Sequence, residues 1–127
     1  MTDSPAIKTA VPCIPAQDLD ATLDFYNEKL GFEIAFRVGD YAGIRRDGAE
    51  IHVYQHDSRA LAEDTMYRLI VTGVDALCTE FNRKGINCEV SERPWGTRDM
   101  PVIDPAGNCL TFQEDVWRGP VEPHANL

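Results

Sequence analysis

Histidine and cysteine, the residues most used for metal and nucleophilic chemistry, number three and four in this chain of 127. Of three histidines, His52 has the most promising setting. Glu50, His52 and Tyr54 alternate, so on a strand all three side chains share one face. His56 falls in a polar stretch and His124 near the C-terminal end, and neither completes a Ser–His–Asp or Cys–His arrangement. Cys13, Cys78, Cys88 and Cys109 form no CxxC pair and read as reduced, half-buried thiols without a disulfide or metal role. Cys13 reads as a small buried apolar strand residue, not a nucleophile. The glycines stand singly at turns, so no loop is built to cradle a phosphate. This inventory predicts no catalytic residue, no metal site and no cofactor. What it offers is flat side chains suited to stacking on planar rings.

The elements that must position these residues occur twice. Leu19-Asp20-Ala21 through Tyr26-Asn27-Glu28-Lys29 is echoed by Val74-Asp75-Ala76 through Phe81-Asn82-Arg83-Lys84, and Asp47 through Val53 by Ala106 through Phe112. Each copy reads βαβββ, and the functional site is expected between the copies. In the first copy (about 7–56) a strand is predicted over 7–14. A helix over 19–30 follows, opened by Asp18 and stopped by Gly31. Phe32, Ile34, Phe36 and Val38 then alternate as in a half-buried strand, and further strands follow at 41–46 and 49–55. Residues 56–64 form a polar linker. The second copy (about 65–115) gives a strand at 66–72, a helix at 74–84 and strands at 87–93, 97–103 and 108–114. Residues 119–127 read as a flexible tail.

Alternation places Ile51, Val53, Leu110 and Phe112 on the helix side of their sheets, with Glu50, His52, Tyr54, Cys109, Thr111 and Gln113 on the other. That other face, part polar and part aromatic, suits a pocket. The length suits a single α+β domain. A net charge of -9 leaves no basic stripe for nucleic acid. No apolar run is long enough for a membrane span, and the first residues lack the features of a secretory signal. A cytoplasmic location is the resulting expectation.

The βαβββ duplication, Gln17-Asp18-Leu19-Asp20 with Phe25-Tyr26 and Leu30-Gly31-Phe32, and Asp104-Pro105-Ala106-Gly107-Asn108 together resemble the vicinal oxygen chelate superfamily. This is the glyoxalase, extradiol dioxygenase and bleomycin-resistance group. Ala10-Val11-Pro12, Tyr41-Ala42-Gly43 and Arg93-Pro94-Trp95-Gly96 make the resemblance greatest to bleomycin resistance proteins. It implies curved mixed sheets and a homodimer whose subunits exchange N-terminal strands. It also implies a non-catalytic protein that sequesters a glycopeptide-like antibiotic in grooves at the dimer interface. By that resemblance Phe36, Tyr41 and Trp95 line the ligand site, joined on the same face by His52, Tyr54 and Arg68. Arg68 stands where the familiar binders carry a second tryptophan, and Arg37-Val38-Gly39-Asp40 where they carry a run of acids.

Two rival readings remain open. Superfamily metalloenzymes carry ligands at places that the repeat assigns to Val11, His52, Met66 and Thr111, of which only His52 ligates well. A glyoxalase-like lyase or an extradiol dioxygenase would therefore need a nonstandard metal site, His52 with Glu50 or His56. The other reading is a binder of an anionic metabolite drawn by Arg68 and Arg98.

Overall fold

The computed structural model describes residues 4–116. The chain runs β1 (Cys13–Ala16), α1 (Leu19–Glu28), β2 (Glu33–Val38), β3 (Tyr41–Arg46), β4 (Ala49–Gln55), α2 (Arg59–Glu63), β5 (Met66–Ile70), α3 (Val74–Arg83), β6 (Ser91–Arg93), β7 (Thr97–Ile103) and β8 (Cys109–Asp115). The two copies build two four-stranded sheets of the same order, β1-β4-β3-β2 and β5-β8-β7-β6. In each sheet the first strand runs parallel to the last and the other neighbours are antiparallel, which makes the sheets mixed.

The helices start where side chains can satisfy their free backbone N–H groups. The Asp18 carboxylate accepts from the Ala21 N–H at 3.0 Å, opening α1. At α3 the preceding residue is Gly73, and Glu114 of β8 serves instead, accepting from the N–H groups of Gly73 (3.0 Å) and Val74 (3.1 Å). Leu19, Thr22, Leu23 and Tyr26 turn one face of α1 into the core, and Val74 and Phe81 do the same for α3.

A polar network fastens the copies together. The Tyr26 hydroxyl donates to Asp104 Oδ2 at 2.8 Å and lies 2.7 Å from the Tyr67 hydroxyl. Asp104 Oδ1 accepts from the N–H groups of Ala106, Gly107 and Asn108, and Asn108 Nδ2 donates both to Asp104 Oδ2 and to the Pro15 carbonyl, each at 2.9 Å. Burial pushes the Asp104 carboxyl above its ordinary value, while its hydrogen bonds pull the other way. Arg46 adds a two-pronged pair with Glu80 at 2.7 and 2.9 Å. The Asp104–Asn108 stretch is thus a joint between copies.

Several boundaries differ from expectation, each for a local reason. The first strand covers only Cys13–Ala16. Continuing the Cys13–His52 register backwards puts Ala10 opposite Ala49, where β4 begins, so earlier residues have no strand beside them. Ile7 on this arm is 98% exposed. The strand predicted as half-buried, β2, is exposed along its whole length, and a bulge between Ile34 and Phe36 breaks its alternation. The stretch 56–64 contains α2, capped by Ser58 Oγ accepting from Leu61 N–H at 3.1 Å and anchored by buried Ala62. The strand predicted over 87–93 shrinks to Ser91–Arg93 because Asn82 of α3 holds the chain at Cys88, Oδ1 accepting the Cys88 N–H and Nδ2 donating to its carbonyl. The predicted tail, 119–127, and His124 lie outside the described residues.

Candidate functional site

On the open face of the first sheet, β2, β3 and β4 bring three predicted residues together. The Phe36 and Tyr41 rings stack with centroids 6.2 Å apart, and the His52 ring meets both edge-on, at 5.2 and 5.3 Å. The Tyr41 hydroxyl lies 2.8 Å from His52 Nδ1, and His52 Nε2 lies 2.7 Å from Glu50 Oε2. His52 is thus held at both ring nitrogens. Cys13 Sγ sits 3.7 Å from the Tyr41 hydroxyl, and this contact is the largest cause of the raised Tyr41 pKa. Tyr54 lies on the same face of β4, but its ring partner is His56, 6.2 Å away edge-on.

Phe36 occupies this place because of its neighbour. Gly43 pairs with Phe36 across the ladder, and a Cβ built on Gly43 would come within 2.2 Å of the ring. The ring therefore lies flat over the glycine, where no other residue would leave room. The Tyr41-Ala42-Gly43 motif pointed to this stretch, but nothing in the sequence showed that Phe36 covers Gly43. The bulge in β2 hid the pairing.

The second sheet carries Arg68 and Trp95, with company the sequence reading missed. Asp99 of β7 is 1% exposed. Its Oδ2 takes Arg68 Nη1 at 3.1 Å and lies 3.6 Å from Arg93 Nε. Arg68 Nη1 also donates to Gln113 Oε1 at 3.0 Å. The Arg93 guanidinium carbon is 5.9 Å from the Trp95 ring centre, over an indole that stays 49% exposed. The positive charge Arg68 brings to the groove is thus tethered to a buried carboxylate. The alternation of β7, which puts Thr97 and Asp99 on the face away from Met100 and Val102, was the signal that could have found Asp99. Arg98 does not join: it points to the other face and pairs with Asp75 of α3 and with Glu92.

The ladder shows what stands beside each place where a metal ligand could lie, with the same offset in both copies. Opposite His52 stands Cys13, two residues beyond Val11. In the second copy Met66 pairs with Cys109, and Thr111 faces Arg68. A catalytic divalent ion needs about three protein donors. A tethered guanidinium and a threonine in the second copy do not fit that need, and among the described residues no group of three His, Cys, Asp or Glu side chains is gathered to hold a metal.

Two cavities lie where the copies meet. One, of about 420 Å³, is bounded by Thr9–Pro12 of the arm, by Gly48, Ala49 and Glu50, and by Tyr67, Arg68 and Leu69. It sets Glu50 of the first copy and Arg68 of the second around one space. The larger, of about 670 Å³, lies between the β3–β4 turn, the end of β5 and α3, and none of the six predicted residues lines it.

A family model described as "Glyoxalase superfamily protein" matches residues 5–119. The chain belongs to this superfamily. Within it, a bleomycin resistance protein of Geobacillus stearothermophilus is 25% identical over 127 residues, 84% of this chain and 96% of the relative. The crystal structure of a bleomycin-binding protein from bleomycin-producing Streptomyces verticillus, complexed with copper(II)-bleomycin, aligns with a TM-score of 0.80 and 32% identity. It covers 91% of this chain and all (100%) of that one. A lactoylglutathione lyase from Agrobacterium tumefaciens shares the glyoxalase fold at a TM-score of 0.70 and 18% identity, over 87% of this chain and 96% of that one. The βαβββ duplication and the mixed sheets expected from the sequence are those of the superfamily.

Proposed function

We propose that this glyoxalase-superfamily chain, folded as a single domain, binds a bleomycin-class glycopeptide in the cytoplasm and holds it unreacted. One observation carries the reading: a full-length relative that is a bleomycin-binding protein aligns at 32% identity with a chain whose open sheet face presents the Phe36–Tyr41–His52 ring cluster. Rings fixed in a hydrogen-bonded frame suit stacking of planar heteroaromatic groups. Each such contact is worth about 0.5–1.5 kcal/mol beyond burial. Phe36, Tyr41, His52, Tyr54, Arg68 and Trp95 are the proposed ligand-binding residues.

The working form is a homodimer. Phe36, Val38 and Tyr41 on the first sheet, Met66, Ile70, Trp95 and Ile103 on the second, and Ile7 on the arm are all exposed in the single chain. Exposed apolar side chains in such number call for a covering partner, and a second copy with an exchanged N-terminal arm supplies one. Calorimetry with copper(II)-bleomycin and sedimentation of the full chain test both parts. The expected result is saturable binding at two sites per dimer, with growth protection when the chain is expressed in a sensitive host. Absence of binding heat together with absence of protection refutes the sequestration reading, and a monomer at micromolar concentration refutes the dimer.

A further inference from the structure

Cys78 and Cys88 stand 10 residues apart, with no CxxC spacing to announce them, and touch in the fold. Cys78 lies half-buried in α3, and Cys88 lies buried in the irregular stretch between α3 and β6. Their Sγ atoms are 3.7 Å apart. Among the described residues no other two thiols are in contact. Asn82 follows Cys78 by one helical turn, on the same face of α3. Its Oδ1 accepts the Cys88 N–H at 3.0 Å and the Cys88 thiol at 3.3 Å. Its Nδ2 lies 3.4 Å both from Cys78 Sγ and from the Cys88 carbonyl. That carbonyl also takes the Cys78 thiol at 3.3 Å. Two cysteines that merely fill core space need no such frame; here one amide fixes the backbone of Cys88 and touches both sulfurs.

Sulfurs already in van der Waals contact need to close by less than about 2 Å to bond. Residues 86–90 have no strand pairing, so the Cys88 end can follow. We propose that Cys78 and Cys88 form a modification site, a disulfide made reversibly within the folded chain on exposure to a peroxide. The half-exposed Cys78 is the sulfur that the oxidant reaches. Cys88 is 5% exposed, and burial, then its contact with Cys78, pushes its thiol up to about 11, which keeps it protonated until it is needed. The Cys78 sulfur attacks one peroxide oxygen, the O–O bond breaks, and a sulfenic acid and water result. The Cys88 sulfur then displaces the sulfenic hydroxyl, which leaves with the Cys88 proton as a second water. The two thiols have lost two electrons, and the peroxide has gained them. Inside a reducing compartment such a bond is transient, and a thiol reductant reverses it by exchange. Cys88 belongs to the core on the helix side of the second sheet, so the site acts whatever ligand the groove holds.

The test treats the full chain with hydrogen peroxide, blocks the remaining thiols and maps the peptides by mass spectrometry without reductant. The expected product is lighter by two hydrogens and carries a Cys78–Cys88 link as its only crosslink, and dithiothreitol returns all four thiols. The oxidised chain should melt about 5 °C or more above the reduced one, because the bond closes a loop in the unfolded chain. Cys88→Ala removes the resolving thiol, so Cys78 should then hold a sulfenic acid that dimedone traps. Cys78→Ala, at a half-buried position, should leave Cys88 unoxidised. A crosslink that joins other cysteines overturns the proposal, as does a Cys78–Cys88 link that forms in urea and not in the native chain. An oxidised chain that melts below the reduced one also overturns it, since the bond is then made only by distorting the fold.

Discussion

Gly43→Ala isolates the packing that sets the Phe36–Tyr41–His52 ring cluster. A Cβ at this position would meet Phe36 Cε1 at 2.2 Å and Cδ1 and Cζ at 2.8 Å, all inside ordinary carbon contact at about 3.5–4.0 Å. The backbone is paired on both sides, to Phe36 and to His52, so the ring is what moves. Phe36 then loses its stacked contact with Tyr41 and its edge contact with His52. If a ligand ring stacks on Phe36, about 0.5–1.5 kcal/mol of affinity goes with it. That corresponds to a Kd for copper(II)-bleomycin about 2- to 12-fold weaker by calorimetry. Stability should move differently. Phe36 is exposed, and replacing a strand glycine by alanine removes backbone freedom from the unfolded chain, worth about 0.5–1 kcal/mol. The melting temperature should therefore hardly fall while binding weakens. In a Phe36→Ala background these three clashes are gone. There Gly43→Ala should leave affinity unchanged, to within about 0.3 kcal/mol, and raise stability. Equal weakening of binding in both backgrounds would show that Gly43 acts by some route other than the Phe36 ring.

Other perturbations read other parts of the structure. Trp95→Ala should weaken drug binding by about tenfold or less, with stability changed by no more than about 0.5 kcal/mol, because half the indole is exposed; a collapse of the melting temperature would instead make Trp95 a packing residue. Tyr26→Phe removes the hydroxyl shared by Tyr67 and Asp104, and urea unfolding should show a loss of about 1–3 kcal/mol from buried groups left short of a partner. A loss under about 0.5 kcal/mol would mean the network is not what joins the copies. Acid should destabilise the fold. Arg46 holds Glu80 below its ordinary value of 4.5, the Gly73 and Val74 N–H groups do so for Glu114, and Arg98 holds Asp75 below 3.8. A carboxylate lowered in the folded state stabilises it above the unfolded value, and this is lost as pH falls through the folded one. Urea midpoints should thus be level near neutrality and drop below about pH 4.5, less steeply in Glu114→Gln; Asp104, raised by burial, works in the opposite sense. A midpoint that rises on acidification contradicts this assignment.

The sequence determined the repeat, the order of elements within each copy and the open faces of β4 and β8, because these follow from signals short in range. Asp18 caps its own helix, Gly31 turns at a φ of 75°, and period-two alternation divides β4 and β8 into a core side and an open side. Alternation sets Glu50, His52 and Tyr54 on one face, and Phe36, Tyr41 and Trp95 join them only through the resemblance. Contacts made across a register belong to the tertiary structure alone. The bulge in β2 that turns Phe36 onto Gly43, the reach of Arg68 and Arg93 to a single buried Asp99, the departure of Arg98 to Asp75 and the pairing of Cys13 with His52 each depend on where one strand stops against another. A shift of one residue carries a side chain to the opposite face, and no local pattern in this chain records that alignment.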